Sequence, residues 1–175
     1  MENQLGELFR TAATRRLQQF CGRIKECVNK LNEDQVWARG SENENAIGNL
    51  MLHLAGNVRQ WILSGVAGQP DHRKRDIEFA TRGDIRKDEM VTRLTDTVNE
   101  ASAVIESLTP AQLLELRTIQ KYDVSVLEAV FHVVEHFAQH TAQIVFATKM
   151  LTHEDMGFYR HLGKGAPAAH AEKTP

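Results

Sequence analysis

From Val126 to Thr152 the chain runs 27 residues without a proline or a glycine. Apolar residues at Val130, Val133, Val134, Phe137, Ile144, Val145 and Leu151 recur at helical steps, which predicts one helix roughly 40 Å long. Its start is marked by Ser125-Val126-Leu127-Glu128. This is a capping-box pattern, in which the serine and glutamate side chains satisfy each other's free backbone donors.

Three further segments carry the same period. Residues 2 to about 31 place Leu5, Leu8, Phe9, Ala12, Ala13, Leu17, Phe20, Ile24, Val28 and Leu31 on helical steps, and a polar break follows from Asn32 to Ser41. A second helix is expected from Glu44 to Ser64, before Gly65, Gly68 and Pro70 open a long connection. The charged part of that connection, Asp71-His72-Arg73-Lys74-Arg75-Asp76, reads as solvated. Asp84 is a candidate cap for a third helix striped by Met90, Leu94, Val98, Ala101, Ile105 and Leu108. Thr109 and Pro110 then suit the cap and first residue of a short extra turn.

Four long amphipathic helices without a clear strand pattern point to an all-α fold, a four-helix bundle with a long connection between helices 2 and 3. One domain over residues 1–162 is expected. The tail 163–175, rich in Ala, Gly, Pro and Lys, is expected to be disordered.

Charge excludes some functions. With 21 basic against 23 acidic residues and no long basic block, nothing favours a nucleic-acid partner. Short, charge-interrupted apolar runs and a polar amino terminus predict a cytoplasmic protein without a membrane segment. Cys21 and Cys27, six residues apart on one helix and so separated by about 9 Å of rise, are too distant to pair and read as buried thiols.

The histidines carry the chemistry. His136 and His140 stand one turn apart on the last long helix, the spacing by which one helix offers two nitrogens to a single metal ion. His132 competes with them. Setting His132 at zero and rotating about 100° per residue places His136 near 40° and His140 near 80°, against an apolar stripe at roughly 100° to 220°. His132 therefore points away from the core and fits a rim position. His53, at the core edge of the second helix, is the best third ligand, with Asn57 near 40° and Trp61 near 80° from it on the same wheel. Three imidazoles would leave zinc, nickel, iron or manganese with open positions, as a catalytic site needs. Water there is acidified towards neutral pH, and a thiol is held as thiolate. Asn57 and Glu135 are candidate supporting residues, and Arg59, Trp61 and Tyr159 candidate pocket walls. The competing reading is that such histidines merely pack and hydrogen-bond. No Glu-x-x-His, His-Glu-x-x-His, phosphate-binding glycine motif or nucleophile elbow is present.

Three blocks, Asn49–Ile62, Arg75-Asp76-Ile77-Glu78-Phe79-Ala80 and His132–Ile144, together resemble the DinB-like (YfiT-like) superfamily of metalloenzymes. The resemblance extends to about Arg160. It implies an up-down-down-up bundle, a divalent metal held by His53, His136 and His140, and a homodimer. Characterised relatives include thiol-dependent transferases and isomerases using bacillithiol, mycothiol or glutathione. Ala142 stands where the pattern usually has glycine, a change that removes no ligand. The resulting expectation is a divalent-metal enzyme, zinc or nickel ahead of iron or manganese, transferring a low-molecular-weight thiol to a small-molecule substrate. A metal-dependent hydrolase and a non-catalytic metal-binding or interaction protein are the alternatives.

Overall fold

The computed structural model describes residues 2–163. Seven α-helices and one small hairpin are formed by the described residues, in the order α1 (Glu2–Asn29), α2 (Glu33–Val36), α3 (Ile47–Val58), α4 (Arg75–Ala80), α5 (Lys87–Ser107), α6 (Pro110–Leu113), β1 (Leu116–Ile119), β2 (Tyr122–Ser125) and α7 (Val126–Thr152). A π-helical stretch, Arg59–Val66, continues α3, and a single 3₁₀ turn closes the described chain at Arg160–Leu162. The class is all-α, as the periodicity predicts. Apart from Gly163, the expected disordered tail lies outside the described residues.

α1 packs on α5 and α7, and α3 packs on the same two. All four contribute fully buried side chains to one core, among them Leu17 and Ile24, Met51 and Leu54, Leu94 and Ile105, and Phe137 and Ile144. Each such side chain contributes about 1.5–3 kcal/mol of apolar burial, so the packing of the stripes, more than helix propensity, holds the rods together.

The last helix begins as its sequence dictates. Ser125 Oγ accepts from Glu128 N at 3.2 Å, and Glu128 Oε2 accepts from Ser125 N at 2.8 Å. Thr109 likewise caps α6, with Pro110 at its first position.

Four local expectations are corrected. The second helix starts at Ile47 rather than Glu44, because Glu44 turns back to accept from Gly40 N at 2.8 Å while Asn49 Oδ1 takes the Ala46 N–H. It also runs past Gly65. Its end is set by Gly68, whose φ of 74° lets Gln69 N reach Leu63 O at 2.9 Å. Asp84 does not cap α5; the carboxylate of Glu33 reaches across to Lys87 N at 3.1 and 3.2 Å. That acceptor belongs to α2, a helix inside the expected polar break, where Asn32 and Gln35 form a capping box of their own.

The fourth correction is the hairpin. β1 and β2 pair antiparallel, Ile119 opposite Tyr122 and Leu116 opposite Ser125. Its two-residue turn puts Gln120 at φ 52° and Lys121 at φ 71°. Positive φ at both central residues normally calls for Asn-Gly, and Gln-Lys gives no such signal.

Candidate metal centre

Two helices that run in opposite directions build the site. His53 on α3 faces His136 and His140 on α7, while one helical stretch further along Trp61 lies over His132 with ring centroids 4.0 Å apart. Because i and i+4 share a helix face, this crossing brings both α7 imidazoles against the single one from α3.

The three rings meet through one kind of atom. Nε2 of His136 stands 3.1 Å from Nε2 of His53 and 3.2 Å from Nε2 of His140. Nitrogens about 2.0–2.1 Å from one tetrahedral ion lie roughly 3.3 Å from each other, so the spacing suits shared coordination. His53, His136 and His140 form a group whose ligand atoms all lie within 4.8 Å of one another, and no acidic or thiol side chain among the described residues completes it. His53 is buried, and His136 and His140 are partly open.

Protonation also favours a cation. Burial, followed by the neighbouring His140 and His53, pushes His136 down to about 3, so its ring is neutral at physiological pH. Burial likewise lowers His140. Nδ1 of His140 lies 2.6 Å from Oε1 of Gln143, an acceptor, which assigns the proton to Nδ1 and leaves the Nε2 lone pair facing His136. Nδ1 of His136 is buried without a hydrogen-bond partner. Two rings that resist protonation, His136 and His140, with their Nε2 atoms gathered beside that of His53, fit a divalent ion, and His53, His136 and His140 are the residues that would hold it.

Behind His53 lies an ion pair that the reading of a solvated connection missed. Arg73 and Glu78 are joined by bonds of 2.7 Å (Nε to Oε1) and 2.8 Å (Nη2 to Oε2), with both side chains nearly buried. Glu78 Oε2 is 3.0 Å from His53 Nδ1. Burial works against the charged carboxylate, but the hydrogen bonds from Arg73 and His53 outweigh it and hold Glu78 below the usual range. The other members of the charged run are exposed, as expected. A signal did exist: Glu78 sits between Ile77 and Phe79 in an otherwise polar stretch, and the Phe79 ring lies 4.7 Å from His53.

The remaining candidates are placed as follows. Trp61 is buried and forms a wall with His132, whose ring is 5.6 Å from that of His136. Asn57 is buried one turn from His53, with Oδ1 unpartnered. Glu135 is exposed and bonded to none of the three histidines. Arg59 turns to Glu100 at 3.6 Å. Tyr159 accepts from Arg23 at 3.1 Å and lines a separate cavity of about 410 Å³ with Phe20, Phe146 and Phe158.

The sequence model of a family described as "Protein of unknown function (DUF1572)" matches residues 4–161. No curated protein matches the chain. Among solved structures, the chain is similar to one described as the conserved protein of locus from Enterococcus faecalis, at 14% identity and a TM-score of 0.67, over 82% of this chain and 97% of that one. At that identity the likeness concerns the fold. No helix among the described residues is long and apolar enough to cross a membrane.

Proposed function

The chain belongs to the DUF1572 family, and we propose that it is a DinB-like, divalent-metal-dependent enzyme of the thiol S-transferase kind. The observation that carries this is the convergence of three Nε2 atoms from two helices, with burial holding the His136 ring neutral and lowering His140 beside it. Zinc or nickel is the ion such a donor set favours over iron or manganese. Bound there, the ion would supply Lewis acidity that keeps a low-molecular-weight thiol ionised at neutral pH. With only three side-chain donors and a partly open His136–His140 edge, the site has room for a further ligand, which favours catalysis over a closed structural role.

The protein's own groups do the positioning. His136 and His140 are fixed by one helix, and Gln143 turns the His140 ring. Trp61 and His132 close one flank against water. Arg10 reaching Glu106 O at 2.7 Å and Lys87 reaching Leu31 O at 2.6 Å run α5 against α1, Lys30 pairs with Glu154 just past the end of α7, and His53 facing His136 while Trp61 faces His132 runs α3 against α7, which supports the up-down-down-up arrangement. The same reading makes the protein a cytoplasmic homodimer, for which exposed Phe146 and Met150 on α7 offer apolar surface.

The test is metal analysis of untagged protein followed by a panel of thiols and electrophiles. About one divalent ion per chain and thiol-dependent turnover are expected. Turnover without thiol would instead indicate hydrolysis. A metal whose removal unfolds the protein, with no turnover under any condition, would indicate a structural site.

A further inference from the structure

Glu78 and Arg73 come from the connection between α3 and α5, yet both are drawn into the protein behind His53. Glu78 Oε2 lies 3.0 Å from His53 Nδ1 and 2.8 Å from Arg73 Nη2, while Oε1 takes Arg73 Nε at 2.7 Å. The guanidinium thus grips the carboxylate by both oxygens in a fork and fixes its plane. Arg73 Nη2 is itself 3.1 Å from His53 Nδ1, so two proton arrangements compete. A bare Nδ1 would set its lone pair against an anionic oxygen. A protonated Nδ1 donates to that oxygen, and Arg73 keeps its own bonds to Glu78.

The carboxylate has its place because Gly56 lacks a side chain. A Cβ there would overlap Glu78 Oε1 and come within 3.0 Å of Arg73 Nε. Asn49, fully buried one turn before His53, holds the same segment by donating to Glu78 O at 2.8 Å and Thr81 O at 3.0 Å. Three positions on one helix, Asn49, His53 and Gly56, are therefore matched to one short segment of the connection.

We propose that Glu78, clamped by Arg73 in the cleft left by Gly56, is a positioning residue that keeps the His53 proton on Nδ1 and turns its Nε2 lone pair toward His136 and His140. Hydrogen-bonded partners behind a ligating imidazole commonly change metal affinity 10- to 100-fold. The effect on affinity rests on the metal reading above; the position of the proton on His53 does not.

The test uses metal-free protein, with the imidazole ¹⁵N resonances recorded above the histidine titration range. Wild type should show His53 protonated on Nδ1. In Glu78→Gln the amide oxygen is expected to stay with Arg73 and its NH₂ to face Nδ1, so the proton moves to Nε2; zinc affinity by competition with a chelator should fall 10- to 100-fold. Gly56→Ala should produce the same pair of changes. Retention of the Nδ1 proton with unchanged zinc affinity in Glu78→Gln overturns the proposal. So does a wild-type spectrum with the His53 proton on Nε2, which decides the matter even where a variant does not fold. A protein that binds no zinc but shows the tautomer switch refutes the metal reading and retains the positioning role.

Discussion

Nε2 of His136 lies 3.1 Å from Nε2 of His53, although 83 residues separate them in the chain. Two basic nitrogens at that distance from different helices tie the register of α3 against α7 to the chemistry between them. A slip of either helix by one residue would rotate its imidazole about 100° away.

The ligand set should respond as a unit. His53→Ala, His136→Ala and His140→Ala should each lower zinc or nickel affinity by at least about 100-fold, whereas His132→Ala should lower it less than tenfold. Metal content by mass spectrometry after dialysis against a weak chelator gives the comparison. Unchanged metal content in the triple variant would remove the site.

Without metal, stability should fall as pH drops through the histidine range. The folded pKa of His136 is depressed from 6.5 to about 3, chiefly by burial, so between those values the unfolded chain binds a proton that the folded one refuses. Stability is therefore complete above 6.5 and declines towards 3. Urea midpoints measured at several pH values in chelator should show this slope, and it should be shallower in His136→Phe.

The cap of α7 offers a control remote from the histidines. Ser125→Ala removes the acceptor for Glu128 N and should cost about 1 kcal/mol by thermal or urea unfolding. Metal affinity should stay at the wild-type value.

The hairpin turn should be improvable. Lys121 has φ 71°, a conformation in which an ordinary L residue is strained, and Lys121→Gly should stabilise the protein by about 1 kcal/mol. A loss of stability would mean that the Lys121 side chain contributes more than its backbone conformation costs.

Neither cysteine should react readily in the folded state. Burial is the largest influence on Cys21 and Cys27 and raises both thiols. Titration with a thiol reagent at mildly alkaline pH should label both in denaturant and neither in native protein.

Periodicity made the long helices legible, and local cap residues made two starts legible, Ser125 with Glu128 and Thr109 before Pro110, whereas the Asn32–Gln35 box of α2 lies hidden in a stretch whose polarity suits a loop equally well. The α7 histidines were legible because their spacing is local. Glu78 and Arg73 were not, since a charged side chain in a polar connection looks the same whether it meets water or a counter-ion brought from elsewhere. The cap that Glu33 gives to α5 was hidden for the same reason: it crosses between elements. The start of the second helix lies three residues past Glu44 because that side chain serves the preceding loop.

The rod from Ile47 to Val66 is wound in two gauges, α up to Val58 and the wider π form from Arg59. Ala67 N bonds back to Ile62 O, five residues earlier, so the wide portion houses more chain per turn than its neighbour. The slack of the rod therefore lies downstream of His53. A single-residue deletion between Ile62 and Val66, past Trp61, can be taken up by tightening those turns, while the same deletion between His53 and Val58 would swing Trp61 out of line with His132. Length variation among relatives of this chain should accordingly gather on the far side of Trp61.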